Sequence, residues 1–212
     1  ALTSDISGYV LSSVKNLLKK INKLNGFNIL HQFASNVGSL KLGLQSKNLK
    51  QVYNSDLLYL VNCDEVTINK NDDQFIIYQG SHGGENSTIA DVVLPSSAYT
   101  EKNGSFVNLE GRVQKSYKSS YPPGFAKDDW EIFSIIADSN NINLGFKNFN
   151  ELRKNMVSEY PSLGEYDKLP ELNYTNLTFD NNEKRDFKIK LNQIDYYQTN
   201  IIARSSKTMH DC

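Results

Sequence analysis

Hydrophobic residues near the start of the chain recur at three- and four-residue spacing, which places them on one face of a helix. The pattern predicts an amphipathic helix over residues 1–26, with Ser4 as its N-cap and Gly26 at its C-terminal cap. The lysines of this segment fall on the opposite face, which is either a solvated surface or a face that lies on a membrane. A second helix is predicted from Asn28 to about Leu42. The apolar positions of the first helix are Val10, Val14, Leu17, Leu18, Ile21 and Leu24.

Three short apolar segments follow, and they have the length of β-strands. The first two, 57–61 and 75–78, lack polar alternation, and the third, 91–95, is stopped by Pro95. Continuous apolar runs are typical of strands that are covered on both faces. Because the first two runs each follow a helix or a polar loop, the sequence predicts an α/β fold in which helices flank a parallel sheet.

A glycine-rich loop, Gly80-Ser81-His82-Gly83-Gly84, comes directly after the second of these strands. Ligands of open α/β sheets bind at such carboxyl ends, and glycines let the backbone approach a phosphate closely. The loop matches neither the dinucleotide-binding spacing nor the P-loop spacing. It is therefore either a phosphate-binding loop or a tight connection to the next helix. His82 is a candidate base or ligand, but the sequence places no acidic or cysteine partner beside it.

The pattern changes after residue 104. Two short arms flank a turn over 108–112, which predicts an antiparallel hairpin. A helix is predicted to begin at Asp128 or Asp129. Asn148 and Glu151 form a near capping box, which predicts the start of a further helix.

The last part of the chain has no regular pattern. Residues 161–185 are irregular and rich in asparagine, so we predict an α/β module over 1–160 and an irregular extension over 161–212. Matches to the N-glycosylation pattern, among them the one at Asn86, are expected by chance in so asparagine-rich a chain.

Composition excludes several classes of function. The 212 residues carry a net charge of −1, so the chain does not hold nucleic acid through general positive charge. No apolar run reaches the length of about 18 residues that a transmembrane helix needs. Two cysteines, Cys63 and Cys212, cannot supply the ligands of an iron–sulfur cluster or a four-cysteine zinc site. The three histidines, His31, His82 and His210, have no metal-binding spacing. The sequence therefore assigns no catalytic, cofactor-binding or metal-binding residue.

Four motifs, in fixed order, are more specific than these general patterns. They are Ile77-Tyr78-Gln79-Gly80-Ser81-His82-Gly83, Ala90-Asp91-Val92-Val93-Leu94-Pro95, Ala98-Tyr99-Thr100-Glu101-Lys102 and Val107-Asn108-Leu109-Glu110-Gly111-Arg112-Val113-Gln114. Together they resemble the large iron–sulfur subunit of respiratory complex I, the proton-pumping NADH:ubiquinone oxidoreductase. The segment 28–35 and the ending over 195–212 are similar to the same family. Part of the pattern is shared with molybdopterin oxidoreductases such as formate dehydrogenases, so the resemblance implies the Rossmann-like fold of that wider family.

The resemblance covers only the C-terminal part of the subunit, and it implies a specific role. That role is a structural and assembly part of the NADH-oxidising peripheral arm, on the matrix side of the mitochondrial inner membrane. It implies no cofactor in this chain, because the iron–sulfur clusters are expected in the N-terminal part of the subunit. The expected partners are that N-terminal part and other peripheral-arm subunits, without nucleic acid and without a direct membrane span. The simplest hypothesis is a subunit divided between two polypeptides, and a fragment of a longer chain is the competing one.

Two other classes of function stay open at this point. The chain is alternatively the nucleotide-clamping part of a true molybdopterin oxidoreductase such as a formate dehydrogenase, in which the glycine-rich loop would hold a pterin phosphate. It is otherwise a free-standing binding module.

The sequence also suggests residues with a structural role. We expect Arg112 to form an ion pair with Glu101 or Glu110 and so to brace the hairpin. The first helix, the segment 161–185 and the tail over 195–212 are candidate contacts with partner subunits. The tail carries Tyr196, Tyr197 and Arg204, which are residue types that often anchor interfaces.

Overall fold

The computed structural model describes residues 2–3, 8–31, 33–34, 36–44, 46, 49–64, 66–171 and 197–211 of the chain. Its strands are β1 (Leu2–Thr3), β2 (Ile29–Leu30), β3 (Leu57–Val61), β4 (Phe75–Gly80), β5 (Val92–Pro95), β6 (Gly104–Val107) and β7 (Val113–Ser116). Its α-helices are α1 (Gly8–Lys20), α2 (Asn36–Lys41), α3 (Leu49–Tyr53), α4 (Glu85–Thr88), α5 (Asp129–Ser139), α6 (Phe149–Glu159), α7 (Ile201–Ser205) and α8 (Lys207–His210). None of the helices in these ranges has the length and apolarity that crossing a membrane requires.

Two compact units make up the chain, and each is assembled from segments that are distant in sequence. The first unit comprises 1–45, 105–114 and 160–191, and the second comprises 46–104, 115–159 and 192–212. The strands β3 to β5, the glycine-rich loop and helices α7 and α8 all belong to the second unit. The division at residue 160 stays a prediction. Residues 172–196 of the predicted extension, with the candidate anchor Tyr196, lie outside the described residues.

The central element of the second unit is a three-stranded parallel sheet with the order β3-β4-β5. Leu57 pairs in register with Phe75, and Ile77 pairs with Val92. The predicted parallel sheet and the α/β fold class are confirmed. Asp91 fixes the start of β5, because its carboxylate accepts a hydrogen bond from the backbone N–H of Ile76 at 2.7 Å.

The hydrophobic core of the second unit lies on one face of this sheet. Leu58 and Leu60 of β3 and Ile76 and Tyr78 of β4 are buried there together with Ile68 from the connecting loop. Residues two apart on a strand share a face, so these four strand positions are the inward set. Burial of this cluster removes apolar surface from water and so stabilises the packing of the sheet against its connections.

The opposite face of the sheet is covered only in part. The ring of Phe133 from α5 packs on Tyr59 with 5.5 Å between ring centroids. Gln79 is fully buried beneath the same helix, where it accepts a hydrogen bond from the Tyr59 hydroxyl at 2.6 Å. Leu57, by contrast, is 58% exposed. Apolar runs without alternation therefore reflect a second face that α5 covers at Tyr59 and Gln79 and leaves open at Leu57.

The beginning of the chain differs from the prediction of two long helices. Leu2–Thr3 and Ile29–Leu30 are paired parallel strands, and α1 begins only at Gly8. Helix α1 ends at Lys20 because Asn22 adopts a left-handed conformation with φ of 58°, which is a common helix C-terminal cap. Pairing between distant segments overrides the helical periodicity at 28–31. The predicted cap at Ser4 lies outside the described residues.

The stretch from residue 104 to residue 159 follows the sequence signals closely, whereas the predicted irregular extension contains the helices α7 and α8. Strands β6 and β7 form the predicted hairpin, and the five-residue connection over 108–112 requires them to be antiparallel. Asp128 caps α5, and Glu131 completes its capping box by accepting from the Asp128 backbone N–H at 3.1 Å. Asn148 likewise caps α6 by accepting from the backbone N–H of Glu151 at 3.0 Å.

Candidate functional site

The candidate site is the carboxyl edge of the parallel sheet, where β3 and β4 end side by side. Strand β4 runs into the glycine-rich loop at Gly80, and helix α4 begins at Glu85. Strand β3 ends at Val61 and turns at Asn62, whose φ is 47°. Because the strands are parallel, Asp64 and the glycine-rich loop are brought to the same edge.

Tyr78 is the central buried group at this edge. Its side chain is 1% exposed, and its hydroxyl donates to the carboxylate of Asp64, with the carbonyl oxygen of His82 3.0 Å from the same hydroxyl. Burial, reinforced by the hydrogen bond to Asp64, raises the pKa of Tyr78 well above its ordinary value. The phenol therefore stays protonated and acts as a fixed hydrogen-bond donor, not as a base.

Gly80 makes room for this tyrosine. A Cβ at position 80 would lie 2.6 Å from the Tyr78 hydroxyl oxygen and 2.8 Å from two ring carbons. Residues two apart on a strand point the same way, so any side chain at position 80 would occupy the space of the ring. The first glycine of the loop is thus required by packing inside the protein.

Asn86 ties the loop after β3 to helix α4. Its side chain is 3% exposed, and its amide nitrogen donates to the carbonyls of Cys63 and Val66, each at 2.7 Å. Its amide oxygen accepts from the backbone N–H of Ile68 at 3.1 Å. A side chain that is buried and whose amide nitrogen and oxygen are both hydrogen-bonded cannot carry a glycan. Asn86 therefore has a structural role, although it matches the N-glycosylation pattern.

His82 and Cys63 both lie next to this edge of the sheet. The Nδ1 atom of His82 lies 3.0 Å from the Ser81 hydroxyl, and both residues are half-buried. Within the part of the chain that the structure describes, no three His, Cys, Asp or Glu side chains are grouped to hold a metal ion. Cys63 is half-buried, and Cys212 lies outside the described residues.

The C-terminal segment, defined as residues 197–211, reaches the same edge of the sheet. Arg204 donates through Nη2 to the carbonyl of Asp64 at 3.1 Å and through Nη1 to the carbonyl of Gln198 at 3.3 Å. The Cδ1 atom of Ile201 lies 2.9 Å from the position that a Cβ on Gly84 would take. A cavity of about 340 Å³ lies between the segment and the loop. Its polar lining comes from Asp64, Thr67, Glu85, Asn86, Arg204 and Ser205.

Of the three residues with a predicted structural role, Glu110 and Arg112 lie in the turn of the hairpin, and Glu101 precedes it. Arg112 lies 3.6 Å from Glu110, one of its two expected partners, and it also donates to the carbonyl of Asp167 at 2.8 Å. Glu101 instead accepts from the backbone N–H of Ala98 at 2.9 Å. The Glu110 side chain is 60% exposed, so bracing of the hairpin by this pair stays a prediction.

Sequence reasoning missed Asp64, Asn86 and Gln79. Asn86 directly follows the first residue of α4, and its role depends on carbonyls about twenty residues earlier. Gln79 lies within an apolar strand. The presence of a polar residue there is the one sequence signal that its side chain meets hydrogen-bond partners on neighbouring elements. Asp64 carries no local signal, because its partner Tyr78 is reached only through the sheet.

The comparisons with known proteins agree with this fold. A family model described as molybdopterin oxidoreductase matches residues 7–139. A second model, which describes the C-terminal region of the G subunit of NADH-ubiquinone oxidoreductase, matches residues 183–212. The chain belongs to the molybdopterin oxidoreductase family.

Within that family the similarity is to one subunit of complex I. The chain is 37% identical over 211 residues to the G subunit of NADH-quinone oxidoreductase from Rickettsia felis, which covers 97% of this chain and 31% of that protein. It is 38% identical over 220 residues to the NADH-ubiquinone oxidoreductase 75 kDa subunit of Reclinomonas americana, with 96% and 31% covered. It is 37% identical over 199 residues to the mitochondrial 78 kDa subunit of Candida albicans, with 89% and 27% covered. The resemblance predicted from the motifs is confirmed, and the chain spans less than a third of the length of these relatives.

The wider family implies a pterin cofactor that carries a phosphate, which the glycine-rich loop would have to accommodate. The space in front of Gly84 is filled by Ile201, and the space in front of Gly80 is filled by the Tyr78 ring. The neighbouring cavity is lined by two carboxylates, Asp64 and Glu85, and one cation, Arg204, so its formal charge is −1, and like charges repel an anionic group. The residues at this loop do not fit a phosphate, and the formate-dehydrogenase-like alternative is not favoured.

Proposed function

We propose that this chain is the C-terminal part of the large iron–sulfur subunit of mitochondrial complex I, and that it supports the structure and assembly of the NADH-oxidising arm. Its role is to present a folded surface to the redox-active parts of the complex. The iron–sulfur clusters belong to the rest of the subunit, on the same polypeptide or on another. The complex it serves sits at the mitochondrial inner membrane, with this part on the matrix side.

One observation supports this proposal above the others. The chain combines a molybdopterin-oxidoreductase match over 7–139 with a complex I subunit match over 183–212. The wider family alone would leave many oxidoreductases possible, whereas the C-terminal match names one subunit. A relative whose name places it in mitochondria supports the location.

The exposed apolar side chains of the second unit support a role in assembly. Phe125 is 94% exposed and Tyr121 is 83% exposed, and the two residues flank the turn over Pro122-Pro123-Gly124. On the sheet, Leu57 and Phe75 are exposed side by side in register. Large exposed apolar patches mark protein interfaces, and an obligate interface of about 2,000 Å² or more needs such a centre. We propose the cluster-bearing part of the subunit and other peripheral-arm subunits as the partners.

The test is native electrophoresis of solubilised mitochondrial membranes with an antibody against this chain. We expect the chain to comigrate with in-gel NADH dehydrogenase activity, and depletion of the chain to remove assembled complex from that band. Migration as a small species, or with a formate-oxidising activity, would refute the proposal. Intact-mass measurement of the same band then decides whether the cluster-bearing part is a separate polypeptide.

A further inference from the structure

We propose that the C-terminal segment is a built-in plug that closes the carboxyl edge of the parallel sheet against phosphate-bearing ligands. It takes the position in front of the glycine-rich loop where an open α/β sheet otherwise receives a ligand. Ile201 is the residue that fills the space, and Arg204 is the residue that anchors the segment. The inference goes beyond the role proposed for the chain in complex I, and it rests on that role only in that its test uses the purified complex.

The seat of the plug is Gly84. Its backbone is extended, with φ of −140° and ψ of −169°, a conformation that any residue adopts without strain. Glycine is therefore not needed there for backbone freedom. What the missing Cβ provides is space, because Ile201 Cδ1 lies 2.9 Å from where that Cβ would be. The neighbouring Gly83 differs, since a Cβ there would meet only the Ser87 hydroxyl at 3.4 Å.

The anchor of the plug is the backbone after β3. Arg204 donates to the carbonyl of Asp64, and the carboxylate of Asp64 accepts from the buried Tyr78 hydroxyl. Asp64 thereby links the segment to the core of the sheet. Its two helices are also capped locally, because Asn200 accepts from Ala203 at 2.9 Å and Ser206 accepts from Met209 at 3.4 Å.

The origin of the two contacting parts supports the same conclusion. The glycine-rich loop lies in the stretch matched by the wider oxidoreductase family, and the plug lies in the stretch matched by the complex I subunit. The segment characteristic of the complex I subunit thus fills the edge that the wider fold leaves for a ligand. The cavity that remains is lined by the carboxylates of Asp64 and Glu85 and by the Arg204 guanidinium, so its formal charge is −1 and it does not favour an anion.

The test measures amide hydrogen exchange of the C-terminal segment by mass spectrometry, in the complex as it is purified. We expect Gly84→Val to speed exchange of the amides over 201–210 by about tenfold, because overpacking at the seat opens the segment locally. Gly83→Ala is the matched control and should leave exchange within about twofold of the wild type. Unchanged exchange in Gly84→Val would overturn the proposal.

A double variant keeps the test decisive if Gly84→Val fails to assemble. Gly84→Ala places a Cβ against Ile201 Cδ1, and Ile201→Val removes that atom. Exchange in Gly84→Ala should therefore be faster than in the wild type, and adding Ile201→Val should return it toward the value of Ile201→Val alone. Equal acceleration with either residue at position 201 would show that the two positions do not contact each other and would overturn the proposal.

The ligand side of the proposal is tested with inorganic pyrophosphate. The wild-type complex should show no pyrophosphate-dependent change in exchange over the loop 80–84. Protection of that loop by pyrophosphate at millimolar or lower concentration would show an open phosphate site and would overturn the proposal. These readouts are independent of NADH oxidation, so their failure is distinguishable from failure of the proposed function.

Discussion

Replacing Asn86 with alanine should be among the most destabilising single substitutions in the second unit. The side chain is buried and makes three hydrogen bonds to backbone groups of the loop that joins β3 to β4. Alanine keeps the helix α4 backbone intact, since it is a favourable helix residue. The loss is therefore confined to the three bonds and the backbone groups that they satisfy.

The magnitude follows from the number of bonds. A hydrogen bond contributes about 1 kcal/mol net, and a buried backbone group left without a partner costs about 1–3 kcal/mol. Three bonds give a decrease of about 3 kcal/mol or more in the free energy of unfolding. For a domain of this size, that corresponds to a fall of roughly 6–12 °C in melting temperature.

The assay is urea unfolding of the full chain, followed by far-ultraviolet circular dichroism. Asn69→Ala is the matched control, because Asn69 is an exposed asparagine next to Ile68 in the same loop, and it should change stability by less than about 0.5 kcal/mol. A loss of less than about 1 kcal/mol in Asn86→Ala would refute the reasoning, since it would mean that water satisfies the freed groups.

Three further predictions concern the sheet edge and the hairpin. Gly80→Ala should destabilise the chain by about 1–3 kcal/mol, because its Cβ enters the space of the rigid Tyr78 ring, and a neutral result in thermal unfolding would contradict that packing. Tyr78→Phe should lower the free energy of unfolding by about 1–3 kcal/mol near neutral pH, because it removes the hydroxyl that donates to Asp64. The pKa of Tyr78 is higher in the folded than in the unfolded chain, so its contribution to stability is fully present below the ordinary tyrosine pKa of 10.0. That contribution is lost as the pH rises through the folded-state pKa. The stability difference between wild type and Tyr78→Phe should therefore shrink above about pH 10. A difference that stays constant in alkaline urea titrations would argue against the raised pKa. Arg112→Met should lower the free energy of unfolding by about 1–2 kcal/mol, because it removes both the ion pair and the charged hydrogen bond to the Asp167 carbonyl. Glu110→Gln should lower it by less than about 0.5 kcal/mol, because it removes only the exposed ion pair. Equal effects in chemical unfolding would assign the whole contribution to the ion pair.

The sequence predicts the parts of this fold whose signals are local. The strands over 57–61 and 75–78, the hairpin turn over 108–112 and the caps of α5 and α6 depend on residues within about five positions of each other, and the structure confirms them. The prediction of helix over 28–31 is wrong, because the partner strand of that segment, Leu2–Thr3, is distant in sequence. Pairing between distant segments leaves no periodic signature in either of them.

The candidate site shows the same limit more strongly. The glycine-rich loop and its place after a strand could be read from the residues, but the purpose of its glycines could not. Gly80 accommodates Tyr78 within one strand, whereas Gly84 accommodates Ile201 from the far end of the chain. The second contact joins residues more than a hundred positions apart, so spacing alone cannot tell a ligand cradle from a packing seat.

The most direct test of the account is metal analysis of the complex that contains this chain, after the polypeptides have been separated under mild conditions. We predict that iron is recovered with the cysteine-rich part of the subunit, and that this chain carries neither iron nor molybdenum in stoichiometric amount. Molybdenum or tungsten at one atom per chain would contradict the account, because it would show a working pterin site at the edge that the C-terminal segment is proposed to close.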